Sequence, residues 1–180
     1  MDYPDYHEHR QSDYFQKCTL VWALVVIVVI FAIVLFCILV SHGMAKADIV
    51  SVAQAEIGHG EIGGNNKGAY VRQYLNGQEG LPWCAGFVSY CLKEAGMDII
   101  YTLRAKSFLG IGKRLAKTEL RPGDLAVFSR KGGGHVGIIE KLDGQGFISI
   151  EGNVGEYPAK VRRIRHGFPE QSICGFVRIK

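Results

Sequence analysis

Hydrophobic and polar positions alternate in three different ways along this chain. From Thr19 to Val40 (TLVWALVVIVVIFAIVLFCILV) no charge interrupts an apolar block. A helix needs about 20 apolar residues to cross a bilayer. A soluble helix is rarely apolar on every face over such a length. Residues 19–40 are therefore expected to be a single membrane-spanning helix. Its length favours a retained anchor over a cleaved signal peptide, although Ala45-Lys46-Ala47 resembles a small-residue cleavage site.

Beyond it the apolar residues take a helical period. Ile49, Val52, Ala53 and Ile57 predict a first helix, and Tyr70, Val71, Tyr74 and Leu75 a second. Phe87, Val88, Cys91, Leu92 and Ala95 predict a third, started after Pro82 and stopped at Gly96. Leu103, Phe108, Ile111 and Leu115 suggest a short or broken helix between residues 101 and 117. After Arg121-Pro122-Gly123-Asp124 the period changes to that of strands, expected at 125–129, 135–140, 147–151, 160–164 and 173–179. Helices first and strands afterwards predict an α+β fold, with helices packed on a small antiparallel sheet. The expected organisation is a polar tail (1–18), an anchor (19–40), a linker (41–48) and one domain (49–180).

Charge sharpens this division. The net charge is +4, but residues 1–40 hold two basic and four acidic side chains, and residues 41–180 hold 19 and 13. The domain is mildly basic, which suits an anionic polymer or surface, and an ordinary solvated surface accounts for it equally. No nucleic-acid partner is expected. Arg10 and Lys17 are a weak positive-inside signal for the tail. The apolar block has no GxxxG pattern, so a monomer is assumed. His7 and His9 are read as part of a solvated tail. The basic run Lys160, Arg162, Arg163 and Arg165 is read first as an edge strand kept soluble by charge, and second as a face for an anionic polymer.

Five cysteines do not form a disulfide framework. Cys18 and Cys37 belong to the apolar segment. Cys84 and Cys91 stand about 10 Å apart on one helix, too far to pair. Cys174 either pairs with Cys91 or stays free.

Cys84 falls at the first turn of its helix, where unpaired N–H groups and the helix dipole favour an anion. Residues 81–83 supply no capping side chain, which leaves those N–H groups free for a reacting group. Glycine-flanked His135 opens a strand, and Glu151 ends the next. Asn153 lies two residues further on, so in an extended chain it points the same way as Glu151. These are the parts of a cysteine nucleophile site: thiol, imidazole base and polar orienting group.

The segments PWCAGFVSYC, RPGDLAVF, GHVGIIE and ISIEGN resemble, in order, the motifs of the CHAP domain, the cysteine, histidine-dependent amidohydrolase/peptidase family with a papain-like α+β fold. The resemblance runs from about Ile49 to the end of the chain. It implies Cys84 as nucleophile, His135 as base, Glu151 as its orienting group and Asn153 as an assisting residue. It makes Trp83 the candidate substrate-binding residue and peptidoglycan amide bonds the substrate. Some relatives carry an acidic calcium loop before the cysteine. Here that segment is NGQEGLP with only Glu79, so no metal and no cofactor are expected. Many relatives also carry a wall-binding module; none is read here, and the anchor is expected to replace it. Asn66 and Tyr74 are the candidates for a second oxyanion donor. The expectation is a peptidoglycan amidase or endopeptidase held in a bacterial inner membrane by one span, its domain on the extracytoplasmic side. A phage lysis factor or secreted toxin with the same chemistry, and a non-catalytic wall-binding module, are the alternatives.

Overall fold

The computed structural model describes residues 6–43, 47–130 and 132–179, with side chains in the first helix described at 17, 19 and 21–37. Two compact units divide the chain, residues 1–45 and residues 46–180.

In the first unit α1 runs Tyr6–Gly43 and contains the whole apolar block. Residues 6–18, expected as a flexible tail, are helical, because each residue added to an existing helix gains a hydrogen bond at no nucleation cost. Residues 1–5 of that tail, and 44–46 of the linker with the cleavage-like Ala45-Lys46, lie outside the described residues. So do the side chains of His7, His9 and Cys18. Side chains 21–37 are all exposed. Among the described residues no helix is long and apolar enough to cross a membrane.

The second unit opens with α2 (Ile49–Ala55), whose first turn is closed by the Asp48 carboxylate accepting from Val50 N at 2.7 Å and Ser51 N at 3.2 Å. Such a cap contributes about 1 kcal/mol. Then come α3 (Ala69–Tyr74), α4 (Cys84–Glu94) and α5 (Phe108–Ile111). Six strands follow: β1 (Lys113–Leu115), β2 (Leu125–Arg130), β3 (Gly133–Leu142), β4 (Gly146–Val154), β5 (Lys160–Gly167) and β6 (Ile173–Arg178). They form one antiparallel sheet in the order β1-β6-β2-β3-β4-β5. The α+β architecture is therefore as expected, with one strand more. β1 replaces the end of the broken helix because Lys113–Leu115 finds a partner far along the chain in β6.

Strand alternation sends side chains to two different cores. Leu125, Val127, Val136, Ile138, Ile150 and Val177 face α2–α4 and their Trp83, Tyr74 and Phe87. Each large side chain buried there contributes about 2–3 kcal/mol. Ala126, Phe128, Ile139, Phe147 and Phe176 form a second, smaller cluster on the opposite face. α4 reaches its place because residue 86 is glycine: a Cβ there would lie 2.2 Å from the Tyr74 carbonyl oxygen. The Tyr101 hydroxyl then donates to the carbonyls of both Tyr74 and Gly86.

On the edge strand β5, Arg163 pairs with Glu140 at 2.8 Å and Arg165 with Asp143 at 2.9 Å. Half of the basic run is thus compensated within the domain, in keeping with a charged sheet edge. Cys84, Cys91 and Cys174 are all free thiols, so the open pairing of Cys91 with Cys174 is not made.

Candidate active site

The nucleophile candidate stands where the pattern puts it. Cys84 is the first residue of α4; Trp83 is the N-cap residue and makes no side-chain cap. Cys84 is 7% exposed and lines a cleft of about 780 Å³. Pro82, Arg104, Lys106, Arg130, His135 and Asn153 also line it, and no described acidic residue does.

β3 delivers the candidate base. His135 pairs with Phe128 across to β2, and its ring is almost completely buried. Its Nε2 lies 2.7 Å from Oε2 of Glu151. A carboxylate oxygen only accepts, so Nε2 carries the hydrogen, and Nδ1 is the nitrogen left for Cys84. Burial alone would lower the pKa of His135, but hydrogen bonds to Cys84 and Glu151, and the negative charge of each, leave it raised.

Glu151 is fully buried on β4. It reaches His135 by lying across Gly137, the second glycine of the GHVG segment: a Cβ at 137 would stand 2.6 Å from Glu151 Cγ. The Ser149 hydroxyl donates to Oε1 at 2.6 Å, His166 Nε2 lies 2.6 Å from the same oxygen, and Arg130 Nη2 is 3.5 Å from Oε2. Burial by itself would raise the pKa of this carboxyl. Hydrogen bonds from His135 and His166, the His135 charge and the Ser149 hydroxyl reverse that and hold it well below the usual carboxylate range.

Cys84, His135 and Glu151 are thus brought together, and the other expected residues are placed differently. Asn153 lines the cleft but does not continue the alternation from Glu151. The β4–β5 register breaks between Glu151 and Val154, and Asn153 adopts φ +59°. Its amide donates to Asn66 Oδ1 at 3.2 Å rather than to the imidazole. Trp83 is fully buried, stacked on Tyr74, with its indole N–H directed to Glu61 Oε1 at 3.3 Å. It presents no surface to substrate and supports the start of α4 from beneath. Tyr74 is also fully buried, its hydroxyl donating to Glu56 at 2.5 Å, and so offers no oxyanion donor. Glu79 is engaged by Gly68 N and Arg72.

Sequence reasoning missed His166 and Ser149. Both sit at inward positions of alternating strands, and His166 was hidden in a basic run. The available signal was its parity with half-buried Ile164: the two stand two residues apart and so on the same face of β5.

Among solved structures, the chain is similar to an NLP/P60-family protein, described as similar to lipoprotein, from Staphylococcus aureus. The identity is 16%, covering 76% of this chain and 44% of that one, at a TM-score of 0.46. It is also similar to the peptidoglycan hydrolase RipB of Mycobacterium tuberculosis, at 18% identity over 73% of this chain and 63% of that one, TM-score 0.46. RipD of the same organism, described as a non-catalytic NlpC/p60 domain protein adapted to peptidoglycan binding, is 17% identical over 74% of this chain and 99% of that one, TM-score 0.44. The chain spans less than two thirds of the first two. All three TM-scores are below 0.5. No curated protein matches the chain. Residues 76–153, the segment that carries Cys84, His135, Glu151 and Asn153, match the CHAP domain.

Proposed function

We propose that this protein is a cysteine hydrolase that cuts amide bonds of peptidoglycan, as an amidase or a peptide endopeptidase. The observation that carries the reading is the buried Glu151 carboxylate 2.7 Å from His135 Nε2, which leaves Nδ1 to the thiol at an uncapped helix start. A cleft lined by Arg104, Lys106 and Arg130 without a described carboxylate suits an anionic wall peptide.

In this mechanism the Cys84 proton passes to His135 as sulfur bonds to the amide carbon. The carbonyl π pair moves onto oxygen, where the Cys84 backbone N–H meets it. The adduct collapses, the C–N bond breaks, and the His135 imidazolium gives its proton to the leaving amine. Water, deprotonated by His135, then attacks the thioester; a carboxylate is released and the thiol is restored. Glu151 keeps the ring turned and in the productive tautomer throughout.

The placement belongs to the same proposal. Residues 19–40 of α1 hold the protein in a bacterial inner membrane as a single span, with the domain on the extracytoplasmic side where its polymer lies. Mass spectrometry of purified peptidoglycan, incubated with wild type or with Cys84→Ala, tests the activity. New fragments from wild type alone support it, and their masses tell amidase from endopeptidase. No fragments from either protein overturn it.

A further inference from the structure

Glu151 is shared by two histidines, one on each oxygen. His135 takes Oε2 at 2.7 Å, and His166 takes Oε1 at 2.6 Å. On its other side His166 Nδ1 lies 2.8 Å from Glu170 Oε2, and Glu170 is fixed in turn by the Ser172 hydroxyl at 2.5 Å. The residue is 8% exposed, its ring stacked on Phe147 at 5.0 Å and tilted against Phe128 at 4.7 Å. Carboxylate oxygens accept and do not donate, so an imidazole with a carboxylate on each nitrogen carries a hydrogen on both. His166 is therefore a cation placed directly behind the group that orients the candidate base. Burial alone would lower its pKa, and Glu151 and then Glu170 raise it, in agreement with this protonation state.

We propose that His166 is a positioning residue of this active site: a standing imidazolium that locks Glu151 and neutralises part of its charge, and so sets how tightly His135 holds its proton. The proposal rests on the hydrolase reading given above. A bare buried carboxylate beside His135 would bind the imidazolium proton too firmly for its delivery to a leaving amine. A cation behind the carboxylate weakens that hold, and the Ser149 hydroxyl fixes the oxygen that His166 uses. The charged and titratable groups around His166 are Glu151 from β4, Glu170 from the segment after β5, and, through Glu151, His135 from β3 and Arg130 from β2.

The test uses the full chain. Imidazole ¹⁵N spectra of the wild type are expected to show His166 protonated on both nitrogens between pH 5 and 8. In His166→Gln an amide N–H still reaches Glu151 but the charge is gone. The His135 titration midpoint is then expected to rise by about half a unit or more, because a like charge has been removed. The limb of the kcat/KM profile that reports on His135 moves with it, and turnover of peptidoglycan at neutral pH falls about tenfold. His166→Phe, which suits the aromatic stack but supplies no donor, is expected to lose more. A wild-type His166 that is neutral at pH 7, or an unmoved His135 midpoint in a folded His166→Gln, overturns the proposal. If the variants do not fold, the wild-type spectrum decides. If the chain cleaves no peptidoglycan, the hydrolase reading fails, and the His135 titration still decides the coupling.

Discussion

The two ends of α4 carry the same side chain in opposite chemical settings. Cys84 opens the helix, touches the cleft and faces His135; Cys91, two turns on, is fully buried. Burial pushes the Cys91 thiol well above its usual range, and the negative charges of Glu56 and Glu94 add to the effect. The phenols of Tyr74, Tyr90 and Tyr101 are raised too, chiefly by burial, so this end of the helix favours neutral groups. A thiol is thus made into a nucleophile candidate by position: a free helix start, an imidazole and a route to solvent. Helix membership and burial alone make it a small apolar core residue.

The largest expected effect breaks the comparison at its strong end. Cys84→Ala is expected to lower peptidoglycan cleavage by at least about 10³-fold with little change in melting temperature. Cys91→Ala is expected to leave kcat within about twofold and to cost about 1 kcal/mol of stability, measured by urea unfolding. Equal losses of activity in the two variants would mean that the ends of the helix are not functionally distinct. Next, Glu151→Gln preserves shape but cannot accept from two histidines and a serine at once. Steady-state kinetics should show kcat down by about 10²-fold. Gly137→Ala should follow with about a tenfold loss, because the new methyl group displaces Glu151 from His135. A crystal structure of that variant with Glu151 unmoved would remove the explanation.

The smallest effect sharpens the comparison through pH. The folded-state pKa of Glu151 is depressed, so its contribution to stability is present above the unfolded value of about 4.3 and is lost as pH falls. His135 and His166 are raised, so theirs is present below about 6.5 and is lost as pH rises through the folded values. Melting temperature is expected to be highest between those limits. Cys91→Ala should lower the whole curve without changing its shape, whereas His166→Gln should flatten its alkaline side.

Most of the fold was legible because its elements carry local periods, and the switch from a helical to a strand period at Asp124 marks the α+β division. β1 was not, since three residues hold too short a pattern and their partner lies in β6. Cys84, His135 and Glu151 could be read because each has a local mark: an uncapped helix start, flanking glycines, and a charge among apolar strand residues. The direction of Asn153 was lost because alternation assumes uniformly extended backbone, and the chain turns left-handed there. An aromatic residue beside a nucleophile can face cleft or core with the same local sequence, and packing against Tyr74 decided it for Trp83. His166 shares a face of β5 with Ile164, but its meeting with Glu151 depends on the lateral pairing of β4 with β5, which no local pattern encodes.

The absent side chain at position 137 also constrains how this protein can vary. Glu151 lies across a residue with no Cβ, so the two positions are expected to vary as one unit. A lineage that acquires any larger residue at 137 must retreat to a shorter acid or an amide at 151, and must find another way to hold the imidazole. Among relatives, substitutions at these two positions are therefore expected to occur together, whereas the exposed charges of β5 drift independently.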